Sequence, residues 1–133
     1  MKPFTQNFLR GIAHFNSLEF WEAHESWEEL WLVAESDIEQ FLQGLIQVAA
    51  AYHHLKRGTF RGGVRLFDSA LKRLEAFPPD HCGLDRIEVE SAARKHREWA
   101  ASCESEARLR ADEYPRLHLA RGEAGVVPPI TAW

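Results

Sequence analysis

The chain has 133 residues, of which 45% are hydrophobic and 27% charged, and this is the size and composition of one globular domain with its own core. Its formal net charge of −4 argues against a nucleic-acid partner, because binding to a phosphate backbone requires a basic face. No apolar run approaches the roughly 20 residues that cross a bilayer, and no signal-peptide pattern is visible, so we expect no membrane partner. Cys82 and Cys103 form no CxxC motif and are expected to be free thiols in a reducing cytoplasm.

Five stretches of the chain place apolar residues at the spacing of an amphipathic helix, which predicts an all-α fold. A cap signal at Asn16 and Ser17 precedes the second stretch, another at Ser36 and Asp37 precedes the third, and Gly58 ends the third. The five predicted helices cover residues 3–15, 18–33, 37–57, 59–77 and 85–102, and the last could continue to residue 110.

The predicted architecture is a compact bundle of about five helices, in which two antiparallel helical hairpins precede a C-terminal helix. We expect one helical-bundle domain over residues 1–112 and an irregular C-terminal tail over residues 113–133, where proline and glycine recur. The tail is expected to be ordered only if Val126 and Val127, or Trp133, dock on the bundle. A shift of 40 residues aligns Phe20 with Phe60, which indicates a repeated helical hairpin. The second hairpin weakly resembles a tetratricopeptide repeat, through the spacing of Gly58, Phe60, Phe67 and Ala70.

The second helix carries the strongest chemical signal, in the run FWEAHESWEELW from Phe20 to Trp31. On a helical wheel, four aromatic side chains share an arc with His24 and Glu28, and Glu25 lies at its edge. A carboxylate among aromatic rings needs compensation, because an isolated buried charge costs several kcal/mol. His24 and Glu28 are one helical turn apart and can share a proton, a hydrogen bond or a cation.

The short turn before the third helix predicts that the second and third helices pack antiparallel. Positions at equal distance from the turn then face each other, which places His24 near Gln47 and Glu28 near Gln43. His54 follows on the same stripe of the third helix. The pattern therefore predicts a polar seam, by which we mean His24, Glu28, Gln43, Gln47 and His54.

Three interpretations of this polar seam are open. It is a buried hydrogen-bond network that fixes the register of two helices, a divalent-metal site for Zn, Fe, Mn or Ni, or a metal-free acid–base pair. In the metal site, His24 and Glu28 are ligands and His54, Gln47 or Glu25 completes the shell, since a metal usually needs three firm protein ligands. His53 is expected at the core boundary, and no partner is predicted for His14, His81, His96 or His118.

The segments FNSLEFWEAHESWEELW and FLQGLIQVAAAYHHLKRG, followed by an amphipathic helix, resemble the small all-helical proteins known as domain of unknown function 309. That family is marked by a histidine, a glutamate four residues later and an aromatic residue three beyond, which here fall on His24, Glu28 and Trp31. The helix-three glutamines Gln43 and Gln47 match too, whereas Leu18 stands where a glycine is expected. The resemblance covers about residues 8–75 and implies a helical bundle with a motif suspected of binding metal, without an established activity.

Two functions follow as hypotheses. The first is a small cytoplasmic protein, hydrolase-like if it is an enzyme, that uses His24 and Glu28 as a divalent-metal or acid–base site. The second is a helical-repeat-like interaction module whose polar seam is purely structural. Exposed aromatic side chains would favour a homodimer or another protein partner.

Overall fold

The structure, a computed structural model, describes residues 3–103 and 107–119. These residues form five α-helices, which confirms the all-α prediction; their bounds are α1 Pro3–Asn16, α2 Phe20–Trp31, α3 Ser36–Arg57, α4 Phe60–Leu74 and α5 Arg86–Ser102. Short 3₁₀ turns lie at His81–Gly83 and Ala111–Glu113. Sheet pairing within the described ranges is limited to an isolated antiparallel bridge between Leu84 and Leu119.

The helices pack against their neighbours in the chain, in the order α1 on α2, α2 on α3, α3 on α4 and α4 on α5. Hydrogen bonds between opposite helix ends show that α1 and α2, and also α3 and α4, run antiparallel. Asn7 near the start of α1 bonds Glu29 near the end of α2, and Arg73 near the end of α4 bonds Gln40 near the start of α3. The prediction of a compact bundle of about five helices is therefore confirmed.

The beginning of α2 differs from the predicted helix 18–33. Leu18 has a φ of 62°, in the left-handed region that a helix cannot continue through and that favours glycine. The helix therefore begins at Phe20, after Glu19 as its N-cap and without a side-chain cap bond. The cap predicted at Asn16 and Ser17 is wrong. The third helix, in contrast, begins one residue earlier than predicted, at Ser36, with Glu35 as its N-cap.

The core is built around Tyr52 of α3, which is fully buried. Its ring packs within 6 Å of Phe15, Phe20, Phe67 and Tyr114, with centroid distances of 5.8, 5.4, 4.9 and 5.9 Å. Aromatic pairs at these distances add to the free energy gained by burial alone. The cluster joins α1, α2, α3, α4 and the C-terminal segment, and it thereby fixes the orientation of α2.

Helix α5 buries polar as well as apolar side chains. Val89, Ala93 and Ala100 pack inward, and Arg86 and Glu90 form a buried ion pair. His96 also lies inside, where its Nδ1 is 2.8 Å from the Tyr52 hydroxyl. No partner was predicted for His96, because the bond joins α3 to α5 across 44 positions and no local pattern signals it.

A segment after α5, residues 107–119, packs back on the bundle. Tyr114 and Leu117 are buried. The Asn16 side chain, predicted to cap α2, instead donates to the Leu117 carbonyl at 3.0 Å and accepts from the Leu117 amide at 2.6 Å. The domain boundary at residue 112 stays a prediction, and Val126, Val127 and Trp133 lie outside the described residues.

Replacing Asn16 by alanine should lower the free energy of unfolding by about 1 kcal/mol, because two partly buried hydrogen bonds to Leu117 are lost. Urea denaturation measures this change, and hydrogen exchange of the Leu117 amide should accelerate. Asn7→Ala on the same helix is the matched control, since Asn7 makes only exposed hydrogen bonds. Equal losses in the two variants would contradict the docking role of Asn16.

Candidate functional site

His24 and Glu28 lie together on α2, as their spacing predicts. His24 Nε2 is 3.3 Å from Glu28 Oε2, and the two side chains are 18% and 50% exposed. The pair has the distance of an ion pair, but the two atoms are not aligned as a hydrogen bond. The imidazole nitrogen of His24 and the carboxylate oxygen of Glu28 are therefore both available to bind a third atom placed between them.

A buried stripe of α2, next to the pair on the helix surface, holds it in position. Phe20, Ala23, Trp27 and Leu30 are buried, at intervals of three and four residues that form one stripe of the helix. The indole Nε1 of Trp27 donates to the Phe8 carbonyl at 3.1 Å. Because this stripe is anchored in the core, His24 and Glu28 are left at the boundary between core and solvent.

Trp21 covers the imidazole of His24. The two rings are stacked, with centroids 4.9 Å apart and an interplanar angle of 13°. Trp21 is 48% exposed, and its other neighbour is His53 on α3, at 5.4 Å. This contact was not predicted, although the i,i+3 spacing of Trp21 and His24 is a signal for it.

The glutamines of the predicted polar seam are half-buried on α3. Gln47 Oε1 and His24 Nδ1 are both buried, and neither has a hydrogen-bond partner among the residues that the structure describes. An unsatisfied buried polar atom costs about 1–3 kcal/mol. Buried polar atoms of this kind can each bind a small ligand, an ion or a bridging water. Gln43 contributes no hydrogen bond within the described residues.

His54 is not part of this group. Its Nδ1 lies 2.6 Å from the Thr59 hydroxyl, which also donates to the His54 carbonyl at 3.2 Å, so the side chain is fixed at the end of α3. Burial first and the nearby Arg57 second lower the pKa of His54. Glu25 is exposed and Trp31 is half-buried against the core.

The predicted three-ligand set of His24, Glu28 and His54 therefore comes together only in part. Within residues 3–103 and 107–119, no group of three or more His, Cys, Asp or Glu side chains is arranged to hold a metal ion. Whether His24 and Glu28 bind a metal stays a prediction.

The two cysteines do not add to the site. Cys82 and Cys103 are free and half-buried, and burial raises the pKa of Cys82 to about 12. A thiol in such an environment is a poor nucleophile and a poor metal ligand, because both roles need the thiolate. As for membranes, none of the helices in the described part of the chain is long and apolar enough to span a bilayer.

Comparison with known proteins confirms the predicted resemblance. Residues 8–66 match the family described as Domain of unknown function (DUF309), and this segment contains α2, α3 and all residues of the polar seam. The chain is also similar to an uncharacterized protein of Aquifex aeolicus (strain VF5), with 32% identity over 76 residues. That match covers 56% of this chain and 23% of the relative, so the chain spans less than a quarter of the relative's length.

Proposed function

We propose that His24 and Glu28 are the functional centre of this domain and that they bind one divalent metal ion through His24 Nε2 and Glu28 Oε2. The spacing of these two atoms carries the proposal. They are 3.3 Å apart without being hydrogen-bonded to each other, and two ligands that bind one tetrahedral metal at about 2.0–2.1 Å are separated by about 3.3 Å.

The chemistry of the two donors supports the same proposal. An imidazole nitrogen and a carboxylate oxygen suit Zn²⁺, Fe²⁺, Mn²⁺ or Ni²⁺, and the half-exposed Glu28 gives a metal access from solvent. A metal bound there would act as a Lewis acid or activate a water molecule. Because only two firm ligands come from the described residues, we expect weaker binding than at a structural zinc site.

A metal-free acid–base pair would use the same two residues, with Glu28 orienting the imidazole of His24. This role requires a cavity that holds an organic substrate beside His24. Neither His24 nor Glu28 lines any of four cavities in the described part of the structure, which are lined by Leu18, by α3, α4 and α5, and by the segments that follow α4 and α5. We therefore place the acid–base role second to the metal site.

A different observation favours an interaction module. Leu32 and Val33 are neighbouring large apolar side chains, each 70% exposed, in the turn that follows α2. Exposed apolar side chains that cluster are typical of protein–protein contacts. In that case the polar seam is structural, and a second copy or another protein covers this end of the domain.

Titration of Zn²⁺ and Ni²⁺ into the untagged protein tests the metal proposal. We expect near-stoichiometric binding to the wild type, and at least about tenfold weaker binding by His24→Ala and Glu28→Gln, since each removes one of two ligands. Isothermal titration calorimetry measures the affinities, and elemental analysis measures the metal that remains after gel filtration.

The matched controls are His118→Ala and Glu88→Gln. His118 and Glu88 form another histidine–carboxylate contact, at 2.9 Å on the surface, so these variants remove the same side-chain types elsewhere. Their metal binding should equal that of the wild type. Absence of binding by the wild type after reconstitution, or equal losses in the control variants, would contradict the metal site and favour the acid–base pair or the interaction module.

We also infer that the protein works in the cytoplasm. The support is its two free cysteines, which do not pair with each other and are typical of a reducing compartment.

A further inference from the structure

A cavity of about 500 Å³ lies where the first turns of α3 meet the end of α4. Gln40 of α3, Lys72 and Arg73 of α4, and Phe77, Pro78 and His81 of the following segment line it. This volume is within the range of small-molecule sites, roughly 300–1,000 Å³. None of its lining residues is acidic, although the whole chain has more acidic than basic residues.

Arg73 is the unusual residue of this cavity. Its Nη1 donates to Gln40 Oε1 at 2.7 Å, while its Nε is buried without a hydrogen-bond partner in the described part of the chain. Arg73 forms no ion pair there either, and nor does Lys72. The Nε–Nη2 edge of a guanidinium is suited to hold a carboxylate or a phosphate with two parallel hydrogen bonds.

A role at the helix end does not account for this arrangement. Lys72 and Arg73 lie in the last turn of α4, where cations interact favourably with the helix dipole. An exposed side chain meets that need, and Lys72 is exposed. A buried N–H without an acceptor costs about 1–3 kcal/mol, and the helix dipole offers no reason for it.

Two aromatic rings and a proline also line the cavity. The rings of Phe77 and His81 lie 4.7 Å apart at 37°, and His81 also packs against the buried Phe41 at 4.7 Å. Pro78 adds a rigid apolar surface beside them. A ring or similar flat group can stack on such a surface, while a charged group attached to it reaches Arg73 and Lys72.

We propose that this cavity binds a small organic anion, in which a carboxylate or a phosphate monoester is carried by an aromatic or similarly flat apolar group. The guanidinium of Arg73 holds the anionic group, Lys72 adds a second positive charge, and Phe77, Pro78 and His81 contact the apolar group. The site is separate from the His24–Glu28 pair and does not depend on the function proposed for that pair.

Nuclear magnetic resonance titration of the ¹⁵N-labelled full chain tests the proposal, with phenyl phosphate as the probe and an ionic strength of about 0.15 M to screen surface charges. We expect saturable shifts at the amides of Gln40, of residues 72–77, and of Asp80 and His81. Inorganic phosphate has the anionic group without the ring, and benzyl alcohol has the ring without the anionic group. Each should bind at least about tenfold more weakly than phenyl phosphate. Equal binding of either compound would overturn the proposal.

Arg73→Gln should weaken phenyl phosphate binding at least about tenfold, because it removes the two-donor edge. Arg73→Lys keeps the charge and should lie between Arg73→Gln and the wild type. Arg65→Gln is the matched control, since Arg65 is an exposed arginine of the same helix that lines a different cavity; its binding should be unchanged.

Circular dichroism shows whether Arg73→Gln is folded. If Arg73→Gln is unfolded, Lys72→Gln provides the test, because Lys72 is exposed. This variant should weaken phenyl phosphate binding a fewfold. Loss of binding in Arg65→Gln to the same extent, or unchanged binding in both Arg73→Gln and Lys72→Gln, would overturn the proposal. His24→Ala should bind phenyl phosphate as the wild type does.

Discussion

Replacing Gly11 by alanine should destabilise the protein by about 3 kcal/mol, the upper end of the cost of overpacking a core. A Cβ built on Gly11 would lie 2.1 Å from Trp27 Nε1 and 2.5 Å from Trp27 Cδ1. The indole is fully buried, and its Nε1 is bonded to the Phe8 carbonyl at 3.1 Å, so the ring has no room to move aside. In an unhindered helix the same substitution raises the free energy of unfolding by about 1 kcal/mol. The sign of the measured change therefore shows whether Trp27 leaves room for the Cβ.

Urea denaturation measures the effect, and a double-mutant cycle assigns it to Trp27. In a Trp27→Phe background the ring is smaller and the Nε1 is absent, so Gly11→Ala should cost clearly less than in the wild type. Gly62→Ala is the matched control, because its Cβ would lie 3.1 Å from a half-exposed His54. We expect a change within about 0.5 kcal/mol there. A stable Gly11→Ala protein would contradict the close approach of α1 and α2.

The helices could be predicted from the sequence because their apolar periodicity is strong, whereas their ends depend on single residues. Leu18 shows the difference. A leucine gives no local signal for a positive φ, so the start of α2 was placed two residues too early. The family resemblance did hold a hint, because the glycine expected at this position is the residue that a φ of 62° favours.

The part of the candidate site that helix geometry alone determines was predicted from the sequence. The part that depends on tertiary contacts was predicted incompletely. His24 and Glu28 meet because an i,i+4 spacing on a helix fixes their distance. The place of His54 depends instead on the turn after α3, where Thr59 holds its ring. The stacking of Trp21 on His24 depends on side-chain rotamers, which a helical wheel does not contain.

The buried contact of His96 with Tyr52 was missed for a related reason. The last prediction concerns this histidine. It lies on a helix with few apolar residues, and its partner Tyr52 is on another helix. Burial, first, and Lys95 lower the pKa of His96, while Glu113 and the carbonyls of Ala92 and Glu113 oppose this shift in part. The folded protein therefore holds a neutral imidazole in the core.

Stability should consequently fall as the pH drops below about 6.5. Between that value and the lowered pKa of folded His96, the unfolded chain binds more protons than the folded one, so the free energy of unfolding decreases with decreasing pH and levels off below the folded pKa. The pKa values of His53 and His54 are lowered as well, and their contributions have the same sign. His96 thus accounts for one part of the slope.

The His96→Gln variant should show how much of the pH dependence of stability comes from His96. At pH 7.5 it should cost about 2 kcal/mol, because the Tyr52 hydroxyl loses its partner inside the core, and between pH 7 and 5 its stability should fall less steeply than that of the wild type. Urea denaturation at several pH values measures both effects. An unchanged slope in His96→Gln would mean that the imidazole is equally protonated in the folded and unfolded states, and that burial beside Tyr52 does not control its charge.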